Sequence, residues 1–228
     1  MNLIQIIRNI TTAALCLSAI ACTQKYQDVN ATIKEAVFGF EDANKSKEEI
    51  LSIPYASSNV VIGDGAEIFV VLALAEPSPL NQTQLKWVTQ DYGMLVTENG
   101  RLVKTLKLPG DNLAEITPKD NNADPLAMPG AKPGQYNWEA NYAWQPNFRY
   151  GFSANVSWQF VSEQDISSTA WNKETNYYQE HVLLPELDRK FTNHFWLDKE
   201  THQVVHSIQH IGPGMEKITI TVLKPFNG

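Results

Sequence analysis

From Tyr136 to Phe160 every second residue is apolar or aromatic: Tyr136, Trp138, Ala140, Tyr142, Trp144, Pro146, Phe148, Tyr150, Phe152, Ala154, Val156, Trp158 and Phe160. The positions between them are almost all polar or small. Successive side chains of a strand point to opposite faces, so a period of two predicts one oily face and one wet face. Gln145-Pro146-Asn147 interrupts the run with turn residues, and a proline there does not fit a central ladder. The stretch therefore predicts two antiparallel strands joined by a tight bend, with their rings on one side. A slip of one residue would turn the whole set outward, so the register is expected to be firmly fixed.

The same reading extends along the chain. Tyr26, Val29, Ile33, Val37 and Phe38 fall at helical spacing over residues 23–38. Ser46 with Glu49 forms a capping box that starts a second short helix, which Pro54 stops. Residues 58–62, a Gly63-Asp64-Gly65 turn and residues 66–75 predict a hairpin, and the run 68–74, apolar on both faces, predicts a strand covered from both sides. Strands follow at 86–89, 94–97 and 102–106, the last two joined by Asn99-Gly100, a strong hairpin signal. Pro109-Gly110-Asp111 ends the return strand, and residues 120–134, rich in Asn, Asp, Pro and Gly, are the best candidate for a mobile loop. After a polar stretch at 163–176 that contains Trp171, strands are expected at 177–184, 193–198, 203–209 and 218–223, with a turn over 185–190. The expected fold is mainly β: an antiparallel barrel-like or strongly curved sheet with one or two short N-terminal helices. It is read as a single domain over residues 22–228, whose N-terminal helical segment covers about 23–53.

Composition changes this picture mainly at the amino terminus. A chain of 228 residues suits one β domain. Its net charge is −7 and it has no basic block, which sets aside a nucleic-acid binder. Residues 1–21 read as a targeting segment, with Arg8 as the only charge before a short apolar run that ends Ala19-Ile20-Ala21-Cys22. That ending resembles the lipobox of bacterial lipoproteins, in which the cysteine is acylated and becomes the new amino terminus. Cleavage would remove Cys16 and leave Cys22 alone, with no intrachain disulfide to form. Two or more acyl chains make membrane anchoring stable. Thr23 stands where an inner-membrane retention signal has aspartate, so the expected destination is the outer membrane, with the domain facing the periplasm.

Candidate chemistry is sparse. Tyr136, Trp138, Tyr142, Trp144 and Tyr150 have the flat body and polar tip that suit a glycan or lipid, but the first expectation is that they are the rings a core requires, since one sheet face must be buried. Asn137, Glu139, Asn141, Asn155 and Gln159 on the opposite face can bond sugar hydroxyls, as can any solvated strand face. His202, His206 and His210 are four apart, but their apolar neighbours indicate a strand, on which four residues span about 13 Å, too far for adjacent ligation. No metal site follows. Asp91, Glu98 and Asp198 sit beside turns, and nothing marks a pair of carboxylates flanking a cleft. No nucleophile elbow, catalytic cysteine or phosphate-cradling glycine motif is present, so neither catalytic residues nor a cofactor are expected.

Three pieces carry a family likeness: Lys86-Trp87-Val88-Thr89-Gln90-Asp91 with Met94-Leu95-Val96-Thr97 and Asn99-Gly100-Arg101-Leu102-Val103-Lys104-Thr105; Asn193-His194-Phe195-Trp196-Leu197-Asp198; and Ser207-Ile208-Gln209 with Leu223-Lys224-Pro225. Together they resemble the YjbF/GfcB family of lipoproteins encoded with group 4 capsule and exopolysaccharide export genes. The likeness spans about residues 53–225. One departure is His202, where the family usually has a glycine in the turn after the tryptophan strand. The resemblance implies an outer-membrane lipoprotein with a barrel-like fold that assists polysaccharide secretion and is not an enzyme. It implies as partners an outer-membrane β-barrel, a soluble periplasmic protein and the polysaccharide itself. The alternative is a periplasmic binding module that holds a glycan or lipid in its aromatic-lined interior.

Overall fold

A computed structural model describes residues 45–79, 81–89, 92–119, 124–128, 134–146 and 149–227. The expected leader 1–21, Cys22 and the helix over 23–38 lie outside the described residues, as does most of the segment 120–134.

The first described element is a short helix, α1 (Lys47–Ser52). Its capping box forms as expected: the Ser46 hydroxyl accepts from the Glu49 amide, and the Glu49 carboxylate accepts from the Ser46 amide at 2.6 Å. Six residues cannot hold a helix in water by propensity. Packing holds it here, because Ile50 and Ile53 bury against Phe69, Val71, Val88 and Leu223.

Twelve strands among the described residues form one antiparallel sheet. They are β1 (Ser57–Ile62), β2 (Ile68–Pro77), β3 (Thr83–Val88), β4 (Met94–Glu98), β5 (Arg101–Leu106) and β6 (Asn112–Pro118). The second half comprises β7 (Gln135–Gln145), β8 (Arg149–Ser167), β9 (Asn172–Leu184), β10 (Arg189–Asp198), β11 (Val204–His210) and β12 (Lys217–Lys224). The spatial order is β5-β4-β3-β2-β1-β12-β11-β10-β9-β8-β7-β6, an up-and-down meander in which the first and last strands pair with each other. Its two edges, β5 and β6, are consecutive in the chain. They come together where the Leu113 amide donates to the Thr105 hydroxyl at 2.9 Å, so the sheet is a nearly closed barrel.

Inside, Val60, Val70, Trp87 and Leu95 from the first strands meet Trp138, Tyr142, Trp144 and Val182 from the later ones. β2 is covered on both faces as its apolar run predicts, by this interior on one side and by α1 on the other. In the β7–β8 pair, Trp138, Ala140, Tyr142, Trp144, Ala154, Val156 and Trp158 are all buried. The parity breaks once. Tyr142 pairs with Phe152 but Trp144 pairs with Arg149, so β8 carries an extra residue there. Gly151 supplies the positive φ of 77° that this bulge uses, and Tyr150 is turned outward, 56 % exposed, contrary to the expectation that it shares the buried face.

Three further differences concern extent. β6 was not expected: its inward residues, Leu113 and Ile116, are three apart because a bulge between Leu113 and Glu115 breaks the alternation. β8 and β9 continue through the polar stretch 163–176 as a long hairpin. Trp171 at its tip docks back by donating from its indole to the Val222 carbonyl at 2.7 Å. β10 begins at Arg189, taking in part of the expected turn, while Pro185–Leu187 forms a single 3-10 turn.

Candidate functional site

The one charged cluster inside the barrel, among the described residues, starts at a turn. Asn99 and Gly100 both have positive φ, 49° and 87°, the geometry of the predicted two-residue hairpin. A Cβ on Gly100 would run into Val204. The turn delivers Arg101 into the interior at 2 % exposure. A charge so placed has to be paired and hydrogen-bonded. Its Nη1 and Nη2 donate to the Glu180 carboxylate at 2.8 and 2.6 Å, and its Nη2 donates to Asp124 at 2.9 Å, joined by a close Nε contact to the same carboxylate. Asn193 donates to Glu180 at 2.9 Å and accepts from the His210 amide at 2.7 Å. The guanidinium also lies over the rings of Trp138 and Phe195.

Burial opposes the charge on Arg101, but Asp124 and then Glu180 outweigh it and hold the group firmly protonated. Tyr142 nearby is pushed well above the usual phenol range, first by burial and then by the Glu180 charge, so it stays neutral. Its hydroxyl and the indole N–H groups of Trp138 and Trp158 have no hydrogen-bond partner among the described residues. Chemically the cluster is a clamp. Both carboxylates are committed to one guanidinium, and together they tie β5, β9 and the described segment 124–128 into one body. That segment is anchored, not loose as the composition of 120–134 suggests.

Outside, β7 to β10 present rows of polar side chains. Across the strands run Asn137, Ser157, His181 and Thr192 in one row, and Glu139, Asn155, Leu183 and Lys190 in the next. These rows line a depression of about 870 Å³. A second depression, of about 420 Å³, shares Lys190 and Thr192 with it and continues past Arg189, His194 and His210. His181 Nδ1 lies 3.0 Å from the Thr192 hydroxyl, and Glu139 pairs with Lys119 at 3.1 Å.

The five aromatic candidates do not gather. Trp138, Tyr142 and Trp144 fill the interior, Tyr136 packs half-buried beside Trp158 and Phe160, and Tyr150 faces out. The indole of Trp144 donates to the Ile211 carbonyl at 2.7 Å. Of the opposite-face set, Asn137, Glu139 and Asn155 share the first depression, whereas Asn141 and Gln159 do not line it. His206 sits on β11 as expected, 2.9 Å from the Thr221 hydroxyl and against the Trp196 ring, and burial depresses it to about 4. Among the described residues no three His, Cys, Asp or Glu side chains are placed to hold a metal ion. Sequence reasoning missed the clamp, although Glu180 stands at core parity between Tyr178 and Val182, which is the signal of a buried charge needing a partner.

The family model described as "Group 4 capsule polysaccharide lipoprotein gfcB, YjbF" matches residues 30–223. The chain belongs to this family. Two curated YjbF-family relatives from Escherichia coli K12 are similar over nearly their whole length. The uncharacterized lipoprotein GfcB is 31 % identical over 219 residues, 96 % of this chain and 99 % of the relative. The uncharacterized lipoprotein YjbF is 32 % identical over 215 residues, 92 % of this chain and 94 % of the relative. The crystal structure of the hypothetical lipoprotein YmcC from the same organism superposes with a TM-score of 0.68 at 33 % identity, covering 80 % of this chain and 90 % of that one. In this YjbF-family chain His202 has a φ of 58°, so the histidine adopts the backbone region that glycine takes at least cost. The Asp198 carboxylate steadies the hairpin turn by accepting from the amides of Glu200 and Thr201 at 2.8 and 2.9 Å.

Proposed function

We propose that this protein is an outer-membrane lipoprotein, acylated at Cys22, whose periplasmic β domain is a non-enzymatic accessory or scaffold in the secretion of a capsule or exopolysaccharide. The observation that carries this reading is the match of residues 30–223, essentially the whole domain, to a family of capsule polysaccharide lipoproteins. The mechanism is positional. Acyl chains hold the domain at the membrane, and its outer face or loops engage an outer-membrane β-barrel, a soluble periplasmic protein or the glycan. The buried carboxylates support a structural role over an acid/base role, since Glu180 and Asp124 both neutralise Arg101. Trp144 and Tyr142 occupy the space an interior ligand would need, which favours the scaffold over a module that holds a glycan or lipid inside the sheet.

The test is fractionation of cells that carry Cys22→Ala in place of the native protein, with secreted polysaccharide measured in parallel. The reading expects the variant to leave the outer-membrane fraction and secretion to fall. A variant that stays with the outer membrane refutes the anchor; normal secretion in cells that lack the protein refutes the accessory role.

A further inference from the structure

We infer that the trough that runs from the outer face of β7 to β10 round to Arg189 at the start of β10 and His210 on β11 binds a segment of acidic polysaccharide, with Arg189 and Lys190 pairing its carboxylates and Asn137, Asn155 and Thr192 bonding its hydroxyls. This deepens the secretion reading and rests on it for the choice of a glycan.

Charge carries the argument. The protein as a whole has a net charge of −7, yet among the described residues that line the two joined depressions Glu139 is the one carboxylate. Lys119 already neutralises it. Against it stand Arg189 and Lys190, whose side chains have no ion-pair or hydrogen-bond partner among the described residues, and the rings of His181, His194 and His210 line the trough beside them. Three of the five histidines of the chain are therefore in this trough. Burial, and then His210 and His181, hold His194 below its usual range, so its ring serves the trough as a neutral hydrogen-bonding group. A local excess of positive groups on an acidic protein attracts an anion and repels the rest of the protein's own surface.

Shape and chemistry narrow the anion. The trough is open and crosses several strands, with polar side chains repeating at the interstrand spacing of about 4.8 Å, a ladder suited to an extended chain rather than to one small ion. Amide and hydroxyl groups, which donate and accept, lead across the strands to the two cations at the start of β10 and match a polymer that carries both hydroxyls and carboxylates. Leu183, 45 % exposed in the middle of the trough, offers an apolar contact for the C–H face of a sugar ring.

The test uses the full acylated chain in nanodiscs of zwitterionic lipid, titrated with polygalacturonate as the acidic glycan. Dextran serves as the neutral glycan, poly-aspartate as a non-glycan polyanion and phosphatidylglycerol vesicles as an anionic membrane. Two variants accompany it, Arg189→Ser/Lys190→Ser and Asn137→Ala/Asn155→Ala, both at exposed positions and checked for an unchanged unfolding midpoint. The expected result is that polygalacturonate binds more tightly than any other probe, weakens about tenfold or more in the cation variant and in high salt, and weakens severalfold in the amide variant. Equal binding of poly-aspartate, binding of vesicles but not of the glycan, or an unaltered affinity in both variants would overturn the inference. Because binding is read on the purified chain, its failure leaves the fractionation and secretion results to judge the accessory role independently.

Discussion

Arg101 is a permanent cation held at 2 % exposure, a costly placement that only its carboxylate partners sustain. Replacing it with alanine strands Glu180 and Asp124, and the expected loss is about 3–5 kcal/mol in denaturant unfolding. A combined Arg101→Met/Glu180→Gln variant is expected to lose much less than the sum of the two single changes, because neither charge is then left uncompensated. His206 sets a pH dependence. Its folded value is depressed to about 4 by burial, below the roughly 6.5 of an unfolded histidine, so the unfolded chain binds the extra proton between these values. Stability is present above about pH 6.5 and falls as pH drops toward 4, by on the order of 2 kcal/mol between pH 8 and pH 5 for this one group. Thermal unfolding of His206→Gln across that range should show a shallower acid slope, and an unchanged slope would show that the imidazole titrates freely when folded. At the hairpin turn His202 pays for a φ of 58°, and His202→Gly is expected to raise stability by about 1 kcal/mol, seen as a higher midpoint.

At the scale of elements, β7 and β8 separate packing from exposure. Trp144→Ala should cost about 3–5 kcal/mol, since the indole is fully buried and bonded to the Ile211 carbonyl. Tyr150→Ala, six positions away and of the same parity, should stay within about 0.5 kcal/mol because the Gly151 bulge has turned it outward. Comparable losses at both positions in urea titrations would contradict this bulge geometry. The contrast also marks how much of the fold was legible. Alternation identified β7 and β8 from Phe152 to Phe160 because that pair has one strongly apolar face, a continuous apolar run identified β2, and the Gly63-Asp64-Gly65, Asn99-Gly100 and Ser46/Glu49 signals work through local backbone chemistry. β6 escaped because its bulge spaces Leu113 and Ile116 three apart, and the outer halves of β8 and β9 because a polar hairpin carries no periodicity to read. The clamp and the trough escaped for a related reason. Arg101 and Glu180 are 79 positions apart, and the trough is assembled from five strands, so neither exists until the register of the sheet is known.

For the whole molecule the decisive feature is closure. Ten of the eleven strand pairings join strands adjacent in sequence, while the eleventh, β1 with β12, joins the two ends of the meander and β5 and β6 face each other across a seam. Among the described residues the two edge strands turn toward each other, an arrangement that shields an antiparallel sheet of this size from edge-to-edge association. Removing β12 exposes both β1 and β11, so a variant ending at residue 216 is expected to lose cooperative unfolding and to bind a hydrophobic dye. A sharp single transition in that variant would show that the remaining strands suffice.

Because the first and last ribbons zip to one another, a length of this polypeptide that stops short of residues 217–224 is expected to leave part of its lining wet. Shelter for the rings of the interior then arrives late in synthesis, when that closing ribbon becomes available.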